Sequence, residues 1–121
     1  MLVCKKVCKN LVCNRSVLIV KKREPFSQWL MSLPDPDDIS LDELNADTTP
    51  YLVPEYDDDK QRDRILSKIF KDVFEEQLDG WWTDEKDWPV KRDFRTFKQW
   101  FDVEFHSVVE DFVDGELIDE D

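Results

Sequence analysis

The stretch QWFDVEFHSVVEDF, residues 99–112, decides the fold class because it fits two periodicities. Apolar residues follow helical spacing from Phe94 and continue through Phe105 to Phe112, which would give one long helix and a mostly α protein. From Val103 the chain also alternates apolar and polar residues, as a half-buried strand does. We predict a helix over 93–102 and a strand over 104–112, because a sheet of only two strands is marginally stable.

Two other segments predict the remaining strands. SVLIVKK, residues 16–22, is a short β-branched run bounded by charge, which is typical of a buried strand over 17–22. TTPYLVPEY, residues 48–56, favours a strand over 49–53. Because Pro50 and Pro54 cannot donate to a ladder, this strand is expected at a sheet edge.

Helical spacing predicts two more helices, over 25–33 and 60–79, the second ending at Gly80. Ser40 and Glu43 form a capping-box pattern that predicts one further helical turn. The sequence thus predicts a small single α+β domain over 16–121, with about three strands packed against about three helices. The alternative is a mostly α domain.

Charge divides the chain unequally. Residues 1–24 carry seven Lys or Arg and one Glu, whereas residues 25–121 carry ten basic and 28 acidic side chains, a net charge of −18. Such a field repels nucleic acid and anionic membranes and attracts basic protein surfaces. The two glycines, Gly80 and Gly115, are too few for a glycine-rich phosphate loop, so no cofactor is predicted.

The basic leader, residues 1–15, matches no periodicity, and either a disordered extension or a strand is compatible with it. Its three cysteines, Cys4, Cys8 and Cys13, have neither the even number of a disulfide framework nor the spacing of a zinc site. They are expected to be reduced thiols. The longest apolar run, Val17 to Val20, is too short to span a membrane or to form a signal peptide, which favours a cytoplasmic protein.

His106 is the only histidine, and it lies between the carboxylates Glu104 and Glu110. These three residues are the candidates for general acid-base catalysis. A metal site would combine His106 and Glu104 with a ligand from another segment, for which Asp84 and Glu85 are the candidates. A histidine beside acids is more often a hydrogen-bonded surface residue, and no nucleophile motif accompanies it.

Three short motifs resemble a family of small acidic bacterial proteins of uncharacterised function. They are F-x-x-W-L at Phe26 to Leu30, Y-L-V-P at Tyr51 to Pro54, and W-F-D-V-E-F-H-S at Trp100 to Ser107. The likeness covers most of residues 18–113. It implies a bacterial cytoplasmic setting and transfers no site residues.

The lack of a complete catalytic motif and the acidic charge favour a non-enzymatic module that binds a basic protein surface. The alternative is a divalent-metal-binding protein or metal-dependent hydrolase centred on His106; the oligomeric state is left open. Trp81 and Trp82 either form a structural lid over the long helix or contribute to a binding surface. The candidate partner-binding residues are Asp35, Asp37, Asp38, Asp57, Asp58, Asp59, Trp81 and Trp82.

Overall fold

A computed structural model of the protein describes residues 4–6, 11–12, 14–34, 36, 38–112 and 115–117. In this part of the chain three strands come first and three come last, and the helices lie between them together with one further strand. The strands are β1 (Cys4–Lys6), β2 (Leu11–Val12), β3 (Ser16–Lys22), β4 (Thr49–Val53), β5 (Phe101–His106), β6 (Glu110–Asp111) and β7 (Gly115–Leu117). The helices are α1 (Glu24–Met31), α2 (Leu41–Leu44), α3 (Asp59–Asp79) and α4 (Phe94–Trp100), with a 3₁₀ turn at Glu85–Asp87.

The central sheet has three antiparallel strands in the order β4-β3-β5. Strand β3 occupies the middle because its β-branched run suits a pleated surface with a neighbour on each side. Its residues Leu18 and Val20 are buried on the face that the helices cover, whereas Val17 and Ile19 are half-buried on the outer face. The predicted α+β class and the edge position of β4 are therefore confirmed.

An aromatic core joins the helices to the sheet. Phe74 of α3 and Phe97 of α4 are fully buried, and both rings pack against Phe101 at the start of β5, with centroid distances of 5.2 and 5.0 Å. Phe26 of α1 closes the cluster at 5.7 Å from Phe101. Burial of such rings is the main source of stability in a domain of this size.

The stretch 99–112 is a junction between helix and strand, and the mostly α alternative is wrong. Helix α4 ends at Trp100 and β5 begins at the next residue, because Phe101 turns into the core while the following residues pair with β3. The strand predicted over 104–112 instead begins at Phe101 and ends at His106, and Glu110–Asp111 belong to β6. A long helix through this stretch would leave one whole edge of β3 without partners.

Two short antiparallel pairings join the segment that precedes β3 to the segment that follows β5. Strand β2 pairs with β6, where Leu11 lies opposite Asp111, and β1 pairs with β7, where Cys4 lies opposite Leu117. Part of the leader therefore forms strands. Residues 1–3, 7–10 and 13 of the leader lie outside the described residues, as do the predicted partner-binding residues Asp35 and Asp37.

The predicted helix ends are explained by their caps. Ser40 and Glu43 form the predicted capping box at the start of α2. The side chain of Asp58 caps α3 by accepting the Gln61 N–H across 2.8 Å. Helix α3 starts at Asp59, one residue before its predicted boundary, because Asp58 is the cap.

Candidate functional site

The predicted catalytic pair Glu104 and His106 lies on the outer face of the sheet, on alternate residues of β5. Nε2 of His106 lies 3.4 Å from Oε2 of Glu104, and Nζ of Lys21 lies 3.5 Å from Oε1 of the same carboxylate. Both side chains are about half exposed. The hydrogen bond to His106 and the charge of Lys21 lower the pKa of the Glu104 carboxyl.

The third group beside this pair is thus an ammonium and not the carboxylate that the metal hypothesis requires. Asp84 caps the 3₁₀ turn and pairs with Lys86 at 3.4 Å, and Glu85 is exposed in the turn itself. Glu110 belongs to β6, beyond the end of β5. Among the residues that the structure describes, no three His, Cys, Asp or Glu side chains are close enough to hold one metal ion together. Metal binding stays a prediction that rests on Glu104 and His106.

Hydrogen bonds from tryptophan side chains hold residues 81–88, in the connection between α3 and α4, in place. Nε1 of Trp82 donates to Oδ2 of Asp87 at 2.9 Å, and Nε1 of Trp29 donates to the backbone oxygen of the same residue at 3.0 Å. Nε1 of Trp88 donates to the backbone oxygen of Trp82 at 2.7 Å. Buried indole N–H groups need hydrogen-bond acceptors, and these three bonds supply them, as expected of a structural lid. Trp81 is 37% exposed.

Lys22, which the sequence did not single out, is buried at the end of β3. Its ammonium lies 5.4 Å from the ring centroid of Phe26 and 6.0 Å from that of Trp81. It lines a cleft of about 310 Å³ that includes Glu76 and Asp79 of α3. Burial lowers the pKa of Lys22. Its pairing opposite Phe101 of β5 places this lysine inside, and no local sequence pattern indicates that pairing.

Acidic residues gather at the start of α3. Asp57, Asp58 and Asp59, three of the candidate partner-binding residues, are all exposed. Arg62 lies among them and pairs with Asp59 at 3.4 Å and with Asp63 at 3.3 Å. The predicted residue Asp38 is also exposed, but it lies in the connection before α2.

Phe105 connects this acidic cluster to the sheet. The guanidinium carbon of Arg62 lies 5.7 Å from the centroid of the Phe105 ring, and the Tyr56 ring packs edge-on against it at 5.7 Å. Because Phe105 faces the helices and its neighbours face outward, Asp102 and Glu104 lie on the opposite side of the same strand. We call Asp57, Asp58, Asp59, Asp63, Asp102 and Glu104 together the acidic surface.

The sequence contained part of this arrangement. Alternation from Val103 already placed Glu104 and His106 on one face, whereas Asp102 was assigned to the end of the helix over 93–102. The contact between Arg62 and Phe105 joins segments that are far apart in the chain, and no local pattern indicates it.

Comparisons with known proteins give no further assignment. No protein-family model matches the chain, and neither the curated proteins nor the solved structures include a significant match to it. Within the part of the chain that the structure describes, none of the helices has the length and hydropathy needed to cross a membrane.

Proposed function

We propose that this protein is a non-enzymatic interaction module of the bacterial cytoplasm, and that it binds a basic protein surface through the acidic surface. The observation that carries the proposal is the contact of Arg62 with Phe105, which puts the start of α3 beside β5. Carboxylates from two distant segments thereby lie around one strand. A basic partner that lies along the edge of β5 would have Asp57 to Asp59 on one side of the strand and Asp102 and Glu104 on the other.

Most of these carboxylates are available for a partner. Asp57 has its side chain in solvent, and Asp102 is 72% exposed with only a long contact of 3.9 Å to Arg23. Exposed ion pairs of this kind are weak and exchange readily. A partner's lysines and arginines can therefore replace the internal cations.

The experiment compares wild type with two triple variants that remove the same number of charges. The test variant is Asp57→Asn, Asp59→Asn and Asp102→Asn; it spares Asp58 because that residue caps α3. The control variant is Asp42→Asn, Asp72→Asn and Glu85→Gln, three exposed acids outside the acidic surface. Each protein is immobilised and incubated with an extract of the source cell at low ionic strength.

We expect wild type and the control variant to retain the same basic partner, and the test variant to lose it. The partner should elute as salt rises, since the screening length falls from about 30 Å at 0.01 M to about 8 Å at 0.15 M ionic strength. Equal retention by all three proteins would show that charge at the acidic surface is irrelevant. Recovery of no partner at low salt would also count against the proposal.

A further inference from the structure

The two edges of the central sheet differ in their free hydrogen-bonding groups. The N–H of Arg23 donates to the oxygen of Trp100 across 2.8 Å, and these residues lie opposite each other in the register of β3 and β5. Hydrogen-bonded and non-hydrogen-bonded pairs alternate along an antiparallel ladder. Asp102, Glu104 and His106 therefore form the bonded pairs with β3, and the backbone groups of Val103 and Phe105 point away from the sheet.

The edge of β4 is closed to a further strand. By the same alternation, Pro50 and Leu52 point their backbone outward, and Pro54 follows at the next outward position. Two of these three residues have no N–H, so Leu52 alone retains a donor. Beyond the end of β4, the side-chain amide of Asn45 bonds to both the N–H and the C=O of Lys22 at 2.8 Å. A partner strand finds little to pair with here.

The edge of β5 is open. No hydrogen bond from the described residues reaches the outward N–H or C=O of Val103 or Phe105, and no described strand pairs on that side. The N–H of Phe101 bonds to the oxygen of Phe97 in α4, so the free stretch begins after it. It contains no proline. Such a row of unpaired groups is a template for strand addition.

We propose that an extended segment of a basic partner adds to this edge of β5 as an antiparallel strand, with lysine or arginine alternating with apolar residues. This inference rests on the proposed function and specifies how the partner binds. Residues of the added strand opposite Asp102 and Glu104 share their outer face and must be basic. Residues opposite Val103, which is 37% exposed, share the helix-covered face and are apolar.

Charge selects this occupant over a second copy of the chain. If β5 paired with β5 of another molecule so that Val103 lay opposite Val103, each Asp102 would face a Glu104, and like charges directly opposite are destabilising. Strand β3, which already pairs with the other edge of β5, shows which side chains suit a neighbour of β5. It places Lys21 directly opposite Asp102 and within 3.5 Å of Glu104.

The test uses three synthetic peptides of about seven alternating lysine and valine residues, long enough for an ordinary strand. The first has no modification, the second is N-methylated at the valine amides, and the third at the lysine amides. In the antiparallel arrangement the valine amides point toward β5 and the lysine amides point to solvent. We expect the first and third peptides to bind wild type, and the second to lose at least tenfold in affinity.

A protein variant tests the same edge from the other side. Val103→Pro removes an outward N–H of β5, and Leu52→Pro removes the outward N–H of β4 as a matched control. We expect Val103→Pro to abolish binding of the first peptide and Leu52→Pro to retain it, with circular dichroism checking that each variant is folded. If either variant fails to fold, amide exchange in wild type decides, because peptide binding must slow exchange at Val103 and Phe105.

The outcomes separate the two proposals. If all three peptides bind equally well and weaken equally with salt, strand addition is excluded and the acidic surface still binds basic chains. If none binds at low ionic strength, both proposals fail. Loss of binding on methylation of the lysine amides alone would overturn the antiparallel arrangement. Slow amide exchange at Val103 in free wild type, reversed on dilution, would identify a second copy as the occupant.

Discussion

The hydroxyl of Tyr51 on β4 donates a hydrogen bond to Oε1 of Glu76 on α3 across 2.8 Å. Gln77 donates to the same hydroxyl from its Nε2 at 2.7 Å. Burial, with the neighbouring Glu76 carboxylate, outweighs the Gln77 bond and raises the pKa of Tyr51 from 10.0 to about 12. The edge strand is thus held to the long helix by a phenol that must keep its proton.

This contact predicts alkaline destabilisation. Because the folded pKa of Tyr51 is higher than the unfolded value, its contribution to stability is complete below pH 10 and is lost as the pH rises to about 12. Urea unfolding of wild type should show a falling free energy over this range. Tyr51→Phe should show a smaller fall, and an identical pH profile in both proteins would contradict the assignment.

A second prediction concerns the aromatic core. Phe74→Ala should lower the free energy of unfolding by about 3–5 kcal/mol, because the side chain is fully buried against Phe97, Trp100 and Phe101. Val90→Ala serves as the control, since Val90 is 97% exposed and should change stability by no more than about 0.5 kcal/mol. Equal denaturation midpoints for the two variants would refute the packing described above.

Lys22 gives a prediction of opposite sign to that of Tyr51. Its folded pKa is lower than the ordinary 10.5, so the unfolded chain binds the proton more tightly and burial of the charge costs stability below the folded pKa. Lys22→Met should therefore stabilise the protein at neutral pH, and the advantage should shrink as the pH approaches 10.5. Lys71→Met, at an exposed position of α3, is the control and should not stabilise the protein at neutral pH.

The sheet register predicts an alternating pattern of amide exchange. In the free protein the N–H groups of Asp102 and Glu104 are bonded to β3 and should exchange slowly, whereas those of Val103 and Phe105 should exchange rapidly. Nuclear magnetic resonance of the exchanging amides measures this directly. The opposite pattern would mean that Asp102 and Glu104, and not Val103 and Phe105, have their N–H groups free. The proposed strand addition would then lose its basis.

The metal hypothesis makes its own prediction. Two ligands with an ammonium 3.5 Å from one of them are a poor site, so calorimetric titration with zinc, manganese or magnesium should give no heat that depends on His106. The comparison is wild type against His106→Ala. Heat of binding present in wild type and absent in the variant would establish a metal site here.

The sequence predicted the elements whose signals are local. Proline positions in β4, the cap at Asp58 and the apolar stripe of α3 each specify structure within a few residues. Phe101 was wrongly assigned to the helix over 93–102, because helical spacing includes it and the alternating pattern begins only at Val103. Its pairing opposite Lys22 places it in β5. The acidic surface was predicted at Asp57 to Asp59, but its continuation to Asp102 depends on a contact between distant segments.

The prolines of β4 also determine whether the protein can polymerise through its sheet edges at high concentration. A sheet with two open edges can polymerise, because each added molecule presents a fresh edge to the next one. With Pro50 and Pro54 on one side, growth from β5 ends after a single addition. The protein can therefore expose a reactive strand throughout its life in a crowded cell without seeding fibres of its own.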